Sequence, residues 1–197
     1  MRKADPELQQ RRRQQILDAA ERCFRAKGFH QASMQDIARE AEVSMGLLYR
    51  YFENKDAMVV SFATIDSAGV IALIDELAAS ERPLAFLPAM IRRLAKDTAD
   101  PDYLRLYTEV FAESLRNPRL FAALADSEET VRHALVAALK AQQAAGRLAA
   151  TFDAGAVADV LLGLVDGISL RATLVKQYKP AAVEKIVAAM IAAVLKP

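Results

Sequence analysis

The sequence predicts an all-α chain of about nine helices, and three observations carry that prediction. Apolar residues recur at helical spacing along most of its 197 residues, and no alternating strand pattern interrupts them. Capping residues and prolines punctuate the chain between the apolar runs. With 53% hydrophobic and 26% charged residues and only 7 Gly and 7 Pro, the composition favours a compact helical protein over a disordered one.

The first helix is expected over about 6–27, with Ile16, Leu17, Ala20, Cys23 and Phe24 as its buried stripe. Gly28 suits a left-handed cap, with Phe29 packing back on Phe24 as in a Schellman motif. Two short helices follow within residues 33–55. Ser33 is placed to cap the first, Asp36 completes a capping-box pattern, and Ile37, Ala38 and Ala41 supply its inner face. Ser44 is placed to cap the second, with Leu48 and Phe52 inward. Asn54 caps a fourth helix that carries Met58, Phe62, Ile65 and Ile71 and runs to about Ala79. The fifth starts near Pro83 and ends near Asp97. Its internal Pro88 means that it is kinked or begins nearer Leu87. Asp100-Pro101 and Asn117-Pro118 open helices of about 102–116 and 118–145, the latter closed by Gly146. Asp153 caps the eighth, which reaches about Tyr178, and Lys179-Pro180 begins the last, which runs to Leu195.

Two helices as short as those in 33–55 cannot persist alone, so they lean on a third. Joined by a tight turn, they have the shape of a helix-turn-helix, whose second helix enters the major groove of DNA. That second helix carries Ser44, Met45, Gly46, Tyr49, Arg50 and Tyr51 on one side. Charge is distributed accordingly: residues 1–55 hold 11 Lys and Arg against 8 Asp and Glu, while the remainder is slightly acidic. Arg11, Arg12 and Arg13 open the first helix, where positive charge opposes the helix dipole, which favours a phosphate-facing role. Arg2 and Lys3 belong to an N-terminal arm with the reach to enter a groove.

Over residues 16–58 an ordered set of features carries a resemblance. The apolar helix ends in Gly28-Phe29, and Ser33-x-x-Asp36-Ile37-Ala38 opens the next. Val43-Ser44-x-Gly46, Leu48-Tyr49-x-Tyr51-Phe52 and Lys55 follow. This set resembles the DNA-binding domain of the TetR family of transcriptional regulators. The resemblance implies a helix-turn-helix domain over 1–55 and a helical ligand-binding and dimerisation domain over 56–197. It also implies that Ser33, Tyr49, Tyr51 and Lys55 contact phosphates, while Ser44, Met45 and Gly46 approach base edges, with Leu47 and Arg50 in the same reading helix. Met45 and Leu47 stand where the family often has a polar or basic residue and a small hydroxyl residue, which suggests contact with thymine methyls.

The C-terminal segments add a second inference. Val157, Val160, Leu161, Leu164, Val165 and Ile168 surround their helix, and a helix apolar all round must be covered on every side. Gly155, Gly163 and Gly167 allow another backbone to come close, and Val183, Ile186, Val187, Met190 and Ile191 give the last helix a broad apolar face. By resemblance, these two helices form the interface of a homodimer. Between the two ends, Phe62, Phe86, Met90, Tyr103, Tyr107 and Phe111 are the candidates for an apolar effector pocket with few polar groups. His133, Asp166 and Arg171 are the polar side chains that need a partner in another helix, another subunit or a ligand.

The implied function is a ligand-responsive repressor that binds a palindromic operator in double-stranded DNA as a dimer and releases it on binding a small molecule. An activator or non-inducible DNA binder of the same fold, and a helical sensor without DNA binding, are the alternatives. Enzymatic activity is not expected: there are two histidines and one cysteine, and no phosphate-binding Gly loop, zinc-ligand spacing or GxSxG. No metal or cofactor is expected either. Cys23, at core spacing, excludes an intrachain disulfide framework. No apolar leader opens the chain and no charge-free run is long enough to span a bilayer, so a cytoplasmic protein without a membrane partner is expected.

Overall fold

The computed structural model describes residues 6–197, apart from the side chain of Asp97. Arg2 and Lys3 lie outside the described residues. Nine helices and no strand occur among the described residues: α1 (Pro6–Lys27), α2 (Met34–Glu40), α3 (Met45–Tyr51), α4 (Lys55–Ala79), α5 (Pro83–Thr98), α6 (Pro101–Ser114), α7 (Pro118–Ala144), α8 (Ala154–Leu174) and α9 (Pro180–Leu195).

Local chemistry sets most of the helix ends. Asn54 Oδ1 accepts from Ala57 N–H at 2.9 Å, Asn117 Oδ1 from Leu120 at 3.2 Å and Asp153 Oδ1 from Ala156 at 3.0 Å. Each bond satisfies a first-turn N–H that has no intrahelical partner. Gly28 and Gly146 close α1 and α7 with φ of 80° and 68°, the left-handed conformation that glycine adopts without strain. α5 starts at Pro83 and runs through Pro88, so the earlier of its two expected starts is the observed one. α8 ends at Leu174 instead of near Tyr178, because Val175 turns extended (φ −100°, ψ 107°) before the chain reverses toward Pro180.

The chain divides into two compact units, one holding residues up to Thr64 with Arg105–Leu124, the other Ile65–Leu104 with Ala125–Pro197. The unit that contains the helix-turn-helix is therefore larger than residues 1–55. Its core gathers Ile16, Leu17 and Phe24 of α1, Ile37 of α2, Leu48 of α3, Met58 of α4, Val110 of α6 and Leu120 of α7. In the second unit α5 packs against both α8 and α9. Its core comprises Ile74, Leu77, Leu87, Ile91, Leu135, Leu161, Ile191 and their neighbours. There the fully buried Gln142 donates its side-chain amide to the carbonyls of Leu77, Ala78 and Ser80, each at 2.9 Å, and so caps α4 from α7. α4 is long and apolar enough to cross a membrane by length and composition. It nevertheless carries Asp66 near its middle and supplies buried residues to both cores, as a core helix of a folded protein does.

Candidate nucleic-acid interface

The helix-turn-helix is built as its sequence directs. The Ser33 hydroxyl accepts from Asp36 N–H at 3.1 Å, and the Asp36 carboxylate accepts from Ser33 N–H at 3.1 Å, a reciprocal capping box at the start of α2. Lys27, 2.7 Å from the Asp36 carboxylate, and the hydrogen bonds from Ser33 hold that carboxyl well below the usual carboxylate range. Together with Arg22–Glu40 at 2.7 Å, the Lys27 pair ties α1 to α2. The turn passes through Glu42 at φ 52°, a left-handed position with no glycine to announce it. Ser44 then caps α3 through Leu47 N–H at 3.2 Å.

On α3, Leu48 is wholly buried and Phe52 follows it into the core, while Ser44, Met45, Gly46, Tyr49 and Arg50 face outward. Met45, Gly46 and Tyr49 (53% exposed) share one side of the helix, and nothing lies within 4 Å of where a Gly46 Cβ would stand. That face is open to a large partner. Leu47 and Tyr51 are half-buried, and Tyr51 packs against the core. The Ser33 hydroxyl is committed to Asp36, to which it donates at 2.7 Å as well. Lys55 Nζ donates to Phe29 O at 2.6 Å and to His30 O at 3.2 Å, and it lies 4.7 Å from the centre of the Phe29 ring. Loss of water around the Lys55 ammonium lowers its pKa.

The arginine run at the start of α1 separates into three environments. All three are exposed, but Arg12 bonds to Gln15 at 2.8 Å, and Arg13 donates to Ser61 Oγ at 2.6 Å and lies over the Phe52 ring. Arg13 thus links α1 to α4, a role with no local sequence signal because Ser61 lies 48 residues away.

The six aromatic and methionine candidates divide between the units. In the first, half-buried Phe62 meets Phe24 edge-on at 6.3 Å, and Tyr107 and Phe111 stack at 6.5 Å on the exposed side of α6. In the second, Met90 is buried in the core, Phe86 packs half-buried against it, and Tyr103 is half-buried. Among the polar side chains, His133 is exposed beside Glu129, at 3.0 Å. Loss of water raises the Asp166 carboxyl, and the same effect, with Asp166 adding its charge, raises Glu128. Both carboxylates nevertheless keep exposed surface in the single subunit.

The apolar surfaces of α8 and α9 are covered on one side only. Leu161, Val187, Ile191 and Leu195 are buried, whereas Val160, Leu170, Leu174, Ile186, Met190 and Val194 are exposed. An open groove of about 370 Å³ lies along the α8 side, lined by Gly163, Leu164, Gly167, Ile168 and Arg171, with Val175, Tyr178 and Val183 at its end. A Cβ on Gly163 or Gly167 would meet nothing within 4 Å, whereas one on Gly155 would stand 2.9 Å from Asp153 Oδ1 and 3.2 Å from the Arg132 guanidinium. Gly155 therefore admits side chains of its own subunit, not a second backbone.

Comparison with known proteins agrees with this geometry. Residues 16–62 match the model for bacterial regulatory proteins of the tetR family, and residues 83–196 match that for the C-terminal part of BetI-type transcriptional repressors. The chain is 27% identical over 157 residues to the HTH-type transcriptional regulator UidR of Escherichia coli K12, spanning 79% of each. It is 28% identical over 166 residues to the HTH-type nicotine-responsive transcriptional repressor HdnoR of Paenarthrobacter nicotinovorans, covering 81% of this chain and 82% of that one. Its fold matches that of Salmonella enterica GusR with a TM-score of 0.81 at 24% identity over 98% of both chains. An outward reading helix on a capped helix-turn-helix, followed by a matching C-terminal domain, places this chain in the TetR family of bacterial transcriptional regulators.

Proposed function

We propose that this chain is a homodimeric repressor that occupies a palindromic operator in the cytoplasm and leaves it when a small organic effector binds. The observation that carries the reading is the outer face of α3. Met45, Gly46 and Tyr49 stand clear of the domain, with room at Gly46 for a backbone to approach base edges. Ser44, Leu47 and Arg50 belong to the same helix end, while Ser33, Tyr49, Tyr51 and Lys55 are proposed to hold phosphates, which anchor without specifying sequence. The exposed apolar residues of α8 and α9 support a four-helix interface between two copies. Such a dimer presents its reading helices about one helical turn apart, roughly 34–36 Å.

The effector contacts are proposed among Phe62, Phe86, Met90, Tyr103, Tyr107 and Phe111. That HdnoR is described as nicotine-responsive supports a small organic molecule as the effector class. An effector shifts the operator-bound population only by its differential affinity for the two states.

Selection of duplexes by the full-length protein from a random-sequence pool tests the reading. Enrichment of a two-fold symmetric site with half-sites about one turn apart is expected. Enrichment of no duplex, or of single half-sites only, overturns it.

A further inference from the structure

We propose that Glu109, with Arg105 one turn earlier on α6, positions the reading head for DNA by completing the cap of α1. α1 ends on one backbone bond, Gly28 N–H to Phe24 O at 2.8 Å. In a Schellman cap the next N–H also returns to the helix. Here it does not, although Phe29 still packs at a tilt against Phe24 with ring centres 5.5 Å apart. Phe29 N–H instead donates to Glu109 Oε2 at 2.6 Å, from a residue 80 positions away. The carbonyl that this N–H would have met in a continuing helix is that of Arg25, and it accepts from the Arg105 guanidinium. Both halves of the missing helical bond are thus satisfied by α6. Each is satisfied by a charged group, which makes the bonds stronger than neutral ones.

The contact also depends on glycine. At φ 80°, Gly28 has a backbone that side chains disfavour, and a Cβ there would stand 2.9 Å and 3.0 Å from the two Glu109 carboxylate oxygens. The carboxylate therefore lies flush against the α-carbon. A negative charge at the C-terminal end of α1 is on the unfavourable pole of its dipole, so the stability of α1 alone does not account for it. On the other side of the same corner, Lys55 at the start of α4 donates to the carbonyls of Phe29 and His30. The Phe29 residue is gripped through its N–H by α6 and through its carbonyl by α4. Both of those helices have residues in each of the two units. α2 and α3 leave directly from this corner, so an α6 that shifts releases two of the bonds that fix the direction in which the reading head sets out.

The proposal rests on the DNA-binding reading, and the test separates the two. The full-length protein is measured on the duplex that the wild type selects, alongside Glu109→Ala and Glu109→Gln, with melting temperature and sedimentation as controls. Loss of the charged acceptor is expected to weaken operator binding on the order of tenfold while the protein remains folded and its sedimentation is unchanged. Glutamine keeps an acceptor oxygen and is expected to recover most of the affinity. Alanine binding within about twofold of wild type, or glutamine binding no better than alanine, overturns the positioning role. Should the alanine variant fail to fold, amide exchange of the wild type decides. Protection of the Phe29 N–H comparable to that of α1 amides is expected, and exchange at the rate of an open loop overturns the proposal. A wild type that selects no duplex overturns the DNA reading instead, and leaves the Phe29 exchange measurement standing.

Discussion

The Lys55 ammonium donates to the Phe29 carbonyl at 2.6 Å, tying the first turn of α4 to the corner that follows α1. A second bond to His30 O leaves one of the three ammonium hydrogens for a partner outside the domain. The side chain therefore has two separable roles. Lys55→Ala is expected to lower the unfolding free energy by about 1–3 kcal/mol, as for other hydrogen bonds made by charged groups. If the remaining hydrogen meets a phosphate, the same variant also binds all duplexes more weakly. The slope of log affinity against log salt then flattens by about one unit. Denaturant unfolding reads the first effect and a salt titration the second. A folded variant with unchanged affinity and slope would sink the phosphate role and leave Lys55 as a staple.

Glu128 and Asp166 make stability depend on pH in a calculable direction. Both carboxyls are raised, Glu128 by lost hydration and then by Asp166, and Asp166 by lost hydration. A group whose folded pKa exceeds its unfolded value contributes stability that is full below the unfolded value, about 4 for carboxyls, and lost as pH rises through the folded one. Each charge is therefore a cost at neutral pH. Glu128→Gln and Asp166→Asn are expected to raise the melting temperature at pH 7 and to leave it nearly unchanged below about pH 4. Equal shifts at both pH values would show that the change lies in packing, not in ionisation.

Phe62 offers a test of transmission along α4. It lies in the stretch of α4 that belongs to the first unit, edge-on to Phe24 of α1. Phe62→Leu preserves apolar bulk but removes the ring edge, so folding and operator binding should stay near normal while effector-driven release changes. Phe62→Ala, by contrast, should chiefly destabilise, up to about 3–5 kcal/mol for a fully buried ring and less at this half-buried position. Release by the effector that matches wild type in the leucine variant would remove Phe62 from the switch.

What the sequence made legible follows the range of the interactions. Helix caps at Ser33, Ser44, Asn54 and Asp153 each join residues three positions apart, and each could be read from neighbours along the chain. The outward face of α3 was legible as well, because buried Leu48 and Phe52 fix which residues point away. The bond from Arg13 to Ser61 and its place over the Phe52 ring were not legible, since neither partner is near it in sequence. The cap on Phe29 was hidden for the same reason, since Glu109 lies 80 positions on. The helix-turn-helix turn passes through Glu42 in a left-handed conformation that only a glycine or asparagine would have advertised. In α8 the difficulty was different. A helix apolar on all sides has no contrast between faces, so its pattern cannot say which side its own subunit covers.

That last ambiguity changes which substitutions test assembly. Leu161 and Ile191 look equivalent to Val160 and Met190 in sequence, yet they are only 4% exposed, whereas Val160 is 61% and Met190 50% exposed. A charge at Leu161 or Ile191 is buried within the subunit, where an unpaired charge costs several kcal/mol, so Leu161→Glu is expected to unfold the chain. A charge at Val160 or Ile186, the latter 62% exposed, meets water in a single subunit and is buried only when a second copy covers it. Val160→Asp and Ile186→Glu should therefore keep the helical content and melting cooperativity of the wild type while shifting sedimentation from dimer to monomer. Operator affinity should fall with them, because a lone half-site lacks the partner's contacts. Ultracentrifugation at micromolar concentration decides the matter: a wild type that sediments as a monomer, or dimers that survive both exposed-face charges, would place the interface on another surface.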